Sequence, residues 1–206
     1  MLRQPRLILL VALLLMAGCA GQGKRDIDPP GDSQADWAAH SQRLQQLQQW
    51  QANGKLAMRT TDRAESATLV WQQRGDNTVL QLSGPVGLSA TTITSDGRQM
   101  EIRQGNEVSV LDISTPHAIA DSTGWDLPLS ALPFWLKGIP SPDTQAQELD
   151  LDPTTRLLRT LKQDDWEVHY EKYEPLDDLQ LPTRLRIRKG ETSARIIIRK
   201  WQTLPS

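Results

Sequence analysis

The sequence is short of the residues that most active-site chemistry needs. Of its 206 residues, one is cysteine and three are histidine. A lone cysteine closes no disulfide, and neither an HExxH run nor a Cys/His cluster is present, which argues against a zinc centre. His40, His117 and His169 fall on a helical stretch, a helix start and an outward strand position. No glycine-rich phosphate loop occurs. Gly87-Leu88-Ser89 does not make a nucleophile elbow, because Thr91 stands where the second glycine belongs. No apolar run reaches the roughly 18–20 residues of a membrane-spanning helix. A positive excess is lacking too: 23 basic residues stand against 25 acidic ones, which speaks against nucleic acid as a partner. Aromatics are few, with one Phe and two Tyr, yet there are seven Trp. Asp150/Asp152, Asp164/Asp165 and Asp177/Asp178 are paired carboxylates of the kind glycosidases use. Each pair adjoins a turn, where solvation accounts for it more simply. No catalytic residues and no cofactor are expected.

What is present begins at the N-terminus. Arg3 and Arg6 precede the apolar run Leu7 to Ala17, and Gly18-Cys19 follows. The run has the length of a secretory signal core. LMAGC resembles the bacterial lipobox, which implies cleavage before Cys19 and lipid attachment to it. Several acyl chains anchor firmly, at about 0.8 kcal/mol per buried CH₂. By the sorting rule known for such lipoproteins, Ala20 in place of Asp implies the outer membrane. Residues 1–18 are thus expected to be a cleaved signal, and residues 19–35 a lipidated N-terminus with a flexible tether. The tether is rich in Gly, Asp, Pro and Gln, and sixteen residues of coil reach roughly 20–25 Å. Residues 36–206 are expected to form one domain.

Asp36 to Trp50 lacks Pro and Gly and carries Trp37, Leu44 and Leu47 at a helical stride. Period-two alternation then takes over. Leu56/Met58, Leu69/Trp71, Leu80/Leu82, Met100/Ile102 and Val108/Val110 each mark one face of a strand. Gly75-Asp76-Asn77, Ser95-Asp96-Gly97 and Gly105-Asn106 supply hairpin turns. Two short helices are predicted, at 114–124 and 130–137, the second with Ser130 as its cap and Pro133 in its first turn. Strands resume with Trp166/Val168/Tyr170, Leu185/Ile187 and Ile196/Ile198. About ten or eleven antiparallel strands follow from this count. So many strands curl into a barrel or split into layers. An arginine stripe (Arg184, Arg186, Arg188, Arg195, Arg199) lies opposite the apolar positions. It fits anionic headgroups or an acidic partner, and equally a solvated outer face. Trp71, Trp135 and Trp166 fit an ordinary core or the lining of a cavity.

Five stretches occur in order: Gly54-x-Leu56-Ala57; Trp71-Gln72-Gln73-x-Gly75; Leu80-x-Leu82-x-x-Pro85-Val86-Gly87; Pro128-Leu129-x-x-Leu132-x-x-Trp135-x-x-Gly138-x-Pro140; and Trp166-x-Val168-x-Tyr170-x-x-Tyr173. With the lipobox ahead of them, they resemble the LolB family of outer-membrane lipoproteins. The resemblance implies an incomplete, half-open antiparallel β-barrel of about eleven strands with a helical lid. It also implies an apolar cavity for the acyl chains of a lipoprotein, handed over by a periplasmic carrier, LolA, to a monomeric receptor facing the periplasm. Leu69, Trp71, Leu80, Leu82, Leu132, Trp135 and Leu136 are the expected cavity and lid residues. A protruding loop with an apolar tip also belongs to that family. Here a turn of Gly84-Pro85-Val86-Gly87 puts Val86 at the tip, with Leu88 beside it, as the expected contact with the inner leaflet of the outer membrane. Val86 departs from the family's usual Leu. An assembly or scaffold lipoprotein with a filled core is the alternative from another class, and a periplasmic hydrolase a third.

Overall fold

The computed structural model describes residues 33–84, 90–113 and 128–205. Residues 32–206 make a compact unit of their own. Helix α1 (Ser33–Gln46) leads into strand β1 (Gln49–Arg59). The next five strands are β2 (Ala64–Arg74), β3 (Asn77–Ser83), β4 (Thr91–Ser95), β5 (Gln99–Gln104) and β6 (Glu107–Asp112). Helix α2 (Leu132–Lys137) follows, then β7 (Glu148–Leu151), β8 (Leu158–Gln163), β9 (Trp166–Leu176), β10 (Leu179–Lys189) and β11 (Thr192–Thr203).

All eleven strands form one antiparallel sheet in the order β6-β5-β4-β3-β2-β1-β11-β10-β9-β8-β7. Each half of the sheet is a meander, and the first and last strands pair at its centre. Laid flat, β4 and β10 would lie five strand spacings apart, about 24 Å. Yet Ile93 of β4 and Ile187 of β10 line one cavity. The sheet therefore curls around its apolar face, while β6 and β7 remain open edges, and the result is the expected half-open barrel.

Alternation sets that face. Along β10, Leu181, Leu185 and Ile187 are buried while Arg184, Arg186 and Arg188 are exposed. Two devices let the strands fit. At the β8–β9 tip, Asp164 and Asp165 have φ of 54° and 63°, the left-handed pair that a tight hairpin of right-twisted strands requires. In β1, the register against β11 shifts at Asn53/Gly54. A Cβ on Gly54 would stand 2.1 Å from the Ile197 carbonyl oxygen, so the strands approach there only because the residue is glycine.

The boundaries of both helices differ from the sequence reading, the first beginning at Ser33 rather than Asp36. The first helix ends at Gln46, and Trp50 belongs to β1, where it is fully buried. Its ring stacks on Trp71 at 6.2 Å and meets Trp201 edge-on at 5.2 Å. Pairing and burial in the sheet outweigh the local helical stride. The second difference is at α2, which starts at Leu132 with Ala131 as its cap and no side-chain cap bond. The Pro128 carbonyl accepts from the amides of Ala131 and Leu132 in place of the Ser130 hydroxyl. The helix expected at 114–124 lies outside the described residues.

Candidate functional site

The inner face of the curled sheet and α2 enclose a small cavity lined by apolar side chains alone. Leu56, Leu69 and Trp71 form one wall, and Leu80, Leu82 and Ile93 continue it. Ile187, Ala194 and Ile196 close the far side, and Leu129 and Leu132 form the roof. Trp71 keeps its polar atom out of this space by donating from Nε1 to Gln73 Oε1 at 2.9 Å. The enclosed volume is about 20 Å³. That is about one water's worth, against the several hundred Å³ of sites that enclose a whole ligand. The roof is down.

Among the residues expected at this site, Leu69, Trp71, Leu80, Leu82 and Leu132 meet around the cavity. Trp135 and Leu136 do not line it. Both are fully buried beside it. Trp135 packs against Trp166 at 6.4 Å, and its indole N–H donates to Gln163 Oε1 at 2.8 Å. A buried indole N–H usually finds an acceptor, and at this corner Gln163 supplies it. Cys19, Val86 and Leu88 lie outside the described residues.

Gln163, which the sequence reading passed over, organises this corner. It is fully buried at the end of β8. Its Oε1 also accepts from the Ser141 amide at 2.9 Å, and its Nε2 donates to the carbonyls of Ser141 at 2.8 Å and Thr144 at 2.6 Å. All four of its hydrogen bonds hold the roof helix and the chain leaving it. The available signal was a glutamine continuing the inward alternation from Leu161. Tyr170 Oη donates to the Trp135 carbonyl at 3.1 Å, and burial pushes this phenol's pKa well above its usual value. Tyr173 Oη donates to the Leu158 carbonyl at 2.7 Å, and burial raises that phenol likewise.

Lys137, the last residue of α2, is nearly buried. Its ammonium donates to the Leu47 carbonyl at 3.2 Å and stands 5.4 Å from the centre of the Phe134 ring. Burial lowers its pKa to about 8. Gly138 then reverses the chain with φ of 82° and returns its amide to the Trp135 carbonyl. The C-terminal half of α2 is thus fastened by Gln163, Tyr170 and Lys137, while Leu129 and Leu132 hold the roof by apolar contact.

The acidic pairs serve turns and ion pairs. Asp152 accepts from the amides of Thr154 and Thr155, which lower its pKa, and Asp150 pairs with Arg159. Among the described residues, no three His, Cys, Asp or Glu side chains are grouped to hold a metal ion.

The outer membrane lipoprotein LolB family model matches residues 48–201. The outer-membrane lipoprotein LolB of Ectopseudomonas mendocina is 35% identical over 202 residues, covering 98% of this chain and 97% of that protein. Its counterpart in Stutzerimonas stutzeri is 36% identical over 194 residues, with 92% and 91% covered. Among solved structures, a LolA superfamily protein of Nitrosomonas europaea superposes with a TM-score of 0.54 at 9% identity, over 84% of this chain and 94% of that one. At that identity the likeness concerns the fold alone.

Proposed function

The chain belongs to the outer membrane lipoprotein LolB family, and from that premise we propose that it is an outer-membrane-anchored receptor for lipoproteins. It accepts them from a LolA-like periplasmic carrier, shelters their acyl chains beneath α2 and releases them into the outer membrane. The observation that carries this reading is the wholly apolar cavity under a roof whose side-chain hydrogen bonds, among the described residues, gather at its Trp135 end. Raising Leu129 and Leu132 about the anchored Trp135 end opens hydrocarbon surface while the Trp135 bonds to Gln163 and Tyr170 stay in place.

Each sheltered CH₂ contributes about 0.8 kcal/mol. The carrier, this cavity and the bilayer offer similar surroundings, so transfer is an exchange between comparable hydrophobic environments and needs no nucleotide. Cys19 is the lipid attachment site, and the tether keeps the domain near its membrane. Val86 and Leu88 are the apolar contact that brings the domain against the inner leaflet during release.

An acyl-chain probe tests the reading. Saturable binding by residues 32–206, displaced by a lipoprotein, is the expected result. A folded domain that neither binds the probe nor takes lipoprotein from the carrier overturns it. With Cys19 and the signal replaced by a generic secretory signal, the soluble product should still accept cargo.

A further inference from the structure

The outer face of the same strands carries a second, larger feature. A hollow of about 650 Å³ spreads across β2, β1, β11, β10 and β9. Its floor is made of small residues, Ala57, Ala64, Ser66 and Ser193, and its rim of Arg59, Arg186, Arg188 and Arg195. The register explains the grouping. Ala57 pairs with Ser66 on one side and Arg195 on the other, and Arg195 pairs with Arg186. One step towards the hairpin tips, Arg59 pairs with Ala64 and Ser193, and Ser193 with Arg188.

Two arginines directly opposite one another repel. The protein relieves this only partly. Glu171 is shared among Arg184, Arg186 and Arg195, and Glu167 pairs with Arg188 and with His169. Arg59 has no ion pair among the described residues. Five guanidiniums, Arg59, Arg184, Arg186, Arg188 and Arg195, meet two carboxylates on this face, Glu167 and Glu171, so positive charge remains in excess there on a chain that is negative as a whole; Glu65 pairs with buried Met58 and belongs to the other face.

The position says what should neutralise them. Thr68 of β2 pairs with Ser83 of β3 and with Lys55 of β1. The connection that contains Val86 and Leu88 therefore leaves the sheet level with Lys55, about 10 Å from β1 across two strand spacings. Ala57 and Arg59 lie further along in the same direction. An orientation that brings this connection to a bilayer brings the arginines to its headgroups.

We propose that the hollow is a docking face for anionic lipid headgroups of the receiving membrane. The proposal rests on the delivery reading above and adds the chemistry of the surface being recognised. Arginine forks match phosphate oxygens, and the small floor leaves room for a headgroup between them.

The test is co-sedimentation of residues 32–206 with phosphatidylcholine vesicles, with and without phosphatidylglycerol. Tighter binding to the anionic vesicles, weakened by added salt, is expected. Arg59→Gln with Arg195→Gln should reduce that binding roughly fivefold per removed cation at an unchanged unfolding temperature. Equal binding of the unaltered domain to both vesicle types overturns the proposal. So does a double variant that binds anionic vesicles as tightly as the original. Loss of carrier docking without loss of vesicle binding would assign the hollow to a protein and overturn it too. Failure of the delivery reading shows separately, as absent acyl-probe binding, which involves none of these arginines.

Discussion

Replacing Gln163 with Met keeps the volume of the side chain and removes all four of its hydrogen bonds. Two buried donors lose their acceptor, the Trp135 indole N–H and the Ser141 amide. Two carbonyls, of Ser141 and Thr144, lose a donor. An unsatisfied buried donor costs about 1–3 kcal/mol, and a carbonyl with a second lone pair less. The expected loss is therefore about 2–5 kcal/mol, a large part of the 5–15 kcal/mol that holds an average domain together. Urea unfolding followed by tryptophan fluorescence reads this directly from the midpoint and slope. Trp135→Phe provides the control. It removes one donor and leaves Gln163 bonded to Ser141, but it also opens space beside Trp166, for about 2–3 kcal/mol together. Because the two residues share a bond, the double variant should lose less than the sum of the single ones. The reasoning is refuted if Gln163→Met costs under about 1 kcal/mol, or if the two losses add.

Gly54→Ala should be poorly tolerated, since its Cβ would meet the Ile197 carbonyl at 2.1 Å and backbone must move; a fall in unfolding temperature or loss of soluble protein is the readout. Lys137 gives a pH signature. Its folded pKa of about 8 lies below the unfolded 10.5, so the unfolded chain holds more protons between those values. Stability should therefore rise as pH climbs from about 8. The rise should end near pH 10, where tyrosines released by unfolding ionise while Tyr170 and Tyr173 stay neutral in the fold. Lys137→Met should flatten the slope; an unchanged slope in pH-dependent urea unfolding would assign it to another group. Val86→Glu with Leu88→Glu should leave receipt from the carrier intact and stall release into liposomes, because a carboxylate resists entering the bilayer. Delivery at the original rate would show that neither residue touches the membrane.

The strands were legible where one face is buried and the other wet, as along β10 and β11, because alternation there is enforced by water on one side. The boundary at Trp50 was not, since Gln45 to Gln49 suits either state and only pairing with Gln73 and Thr203 decides it. For the cavity, Leu69, Leu80 and Leu82 at strand spacing come together on one wall in the structure. The side of α2 that Trp135 takes depends on Gln163, which lies 28 residues further on, and no local pattern carries that. The arginine stripe read as outward-facing, as it is. That Arg59 joins it is a fact of β1–β11 pairing, invisible to any window along the chain.

Because β1 and β11 are neighbours at the middle of the sheet, synthesis and folding are coupled in a particular way. A chain emerging N-terminus first can assemble β1 to β6 early, but the partner for the outer side of β1 is the last strand to appear. Until then each half keeps an additional open edge, a template for pairing with another chain. Closure spans most of the sequence, which makes it slow. During export, the two halves must be kept from strangers until the final dozen residues are through. Chains that end at residue 190 should aggregate or be degraded, whereas removing only residues after Thr203, at the loss of the Leu204–Gln49 and Arg74–Pro205 bonds, should leave a soluble domain; light scattering on the two truncations distinguishes these outcomes.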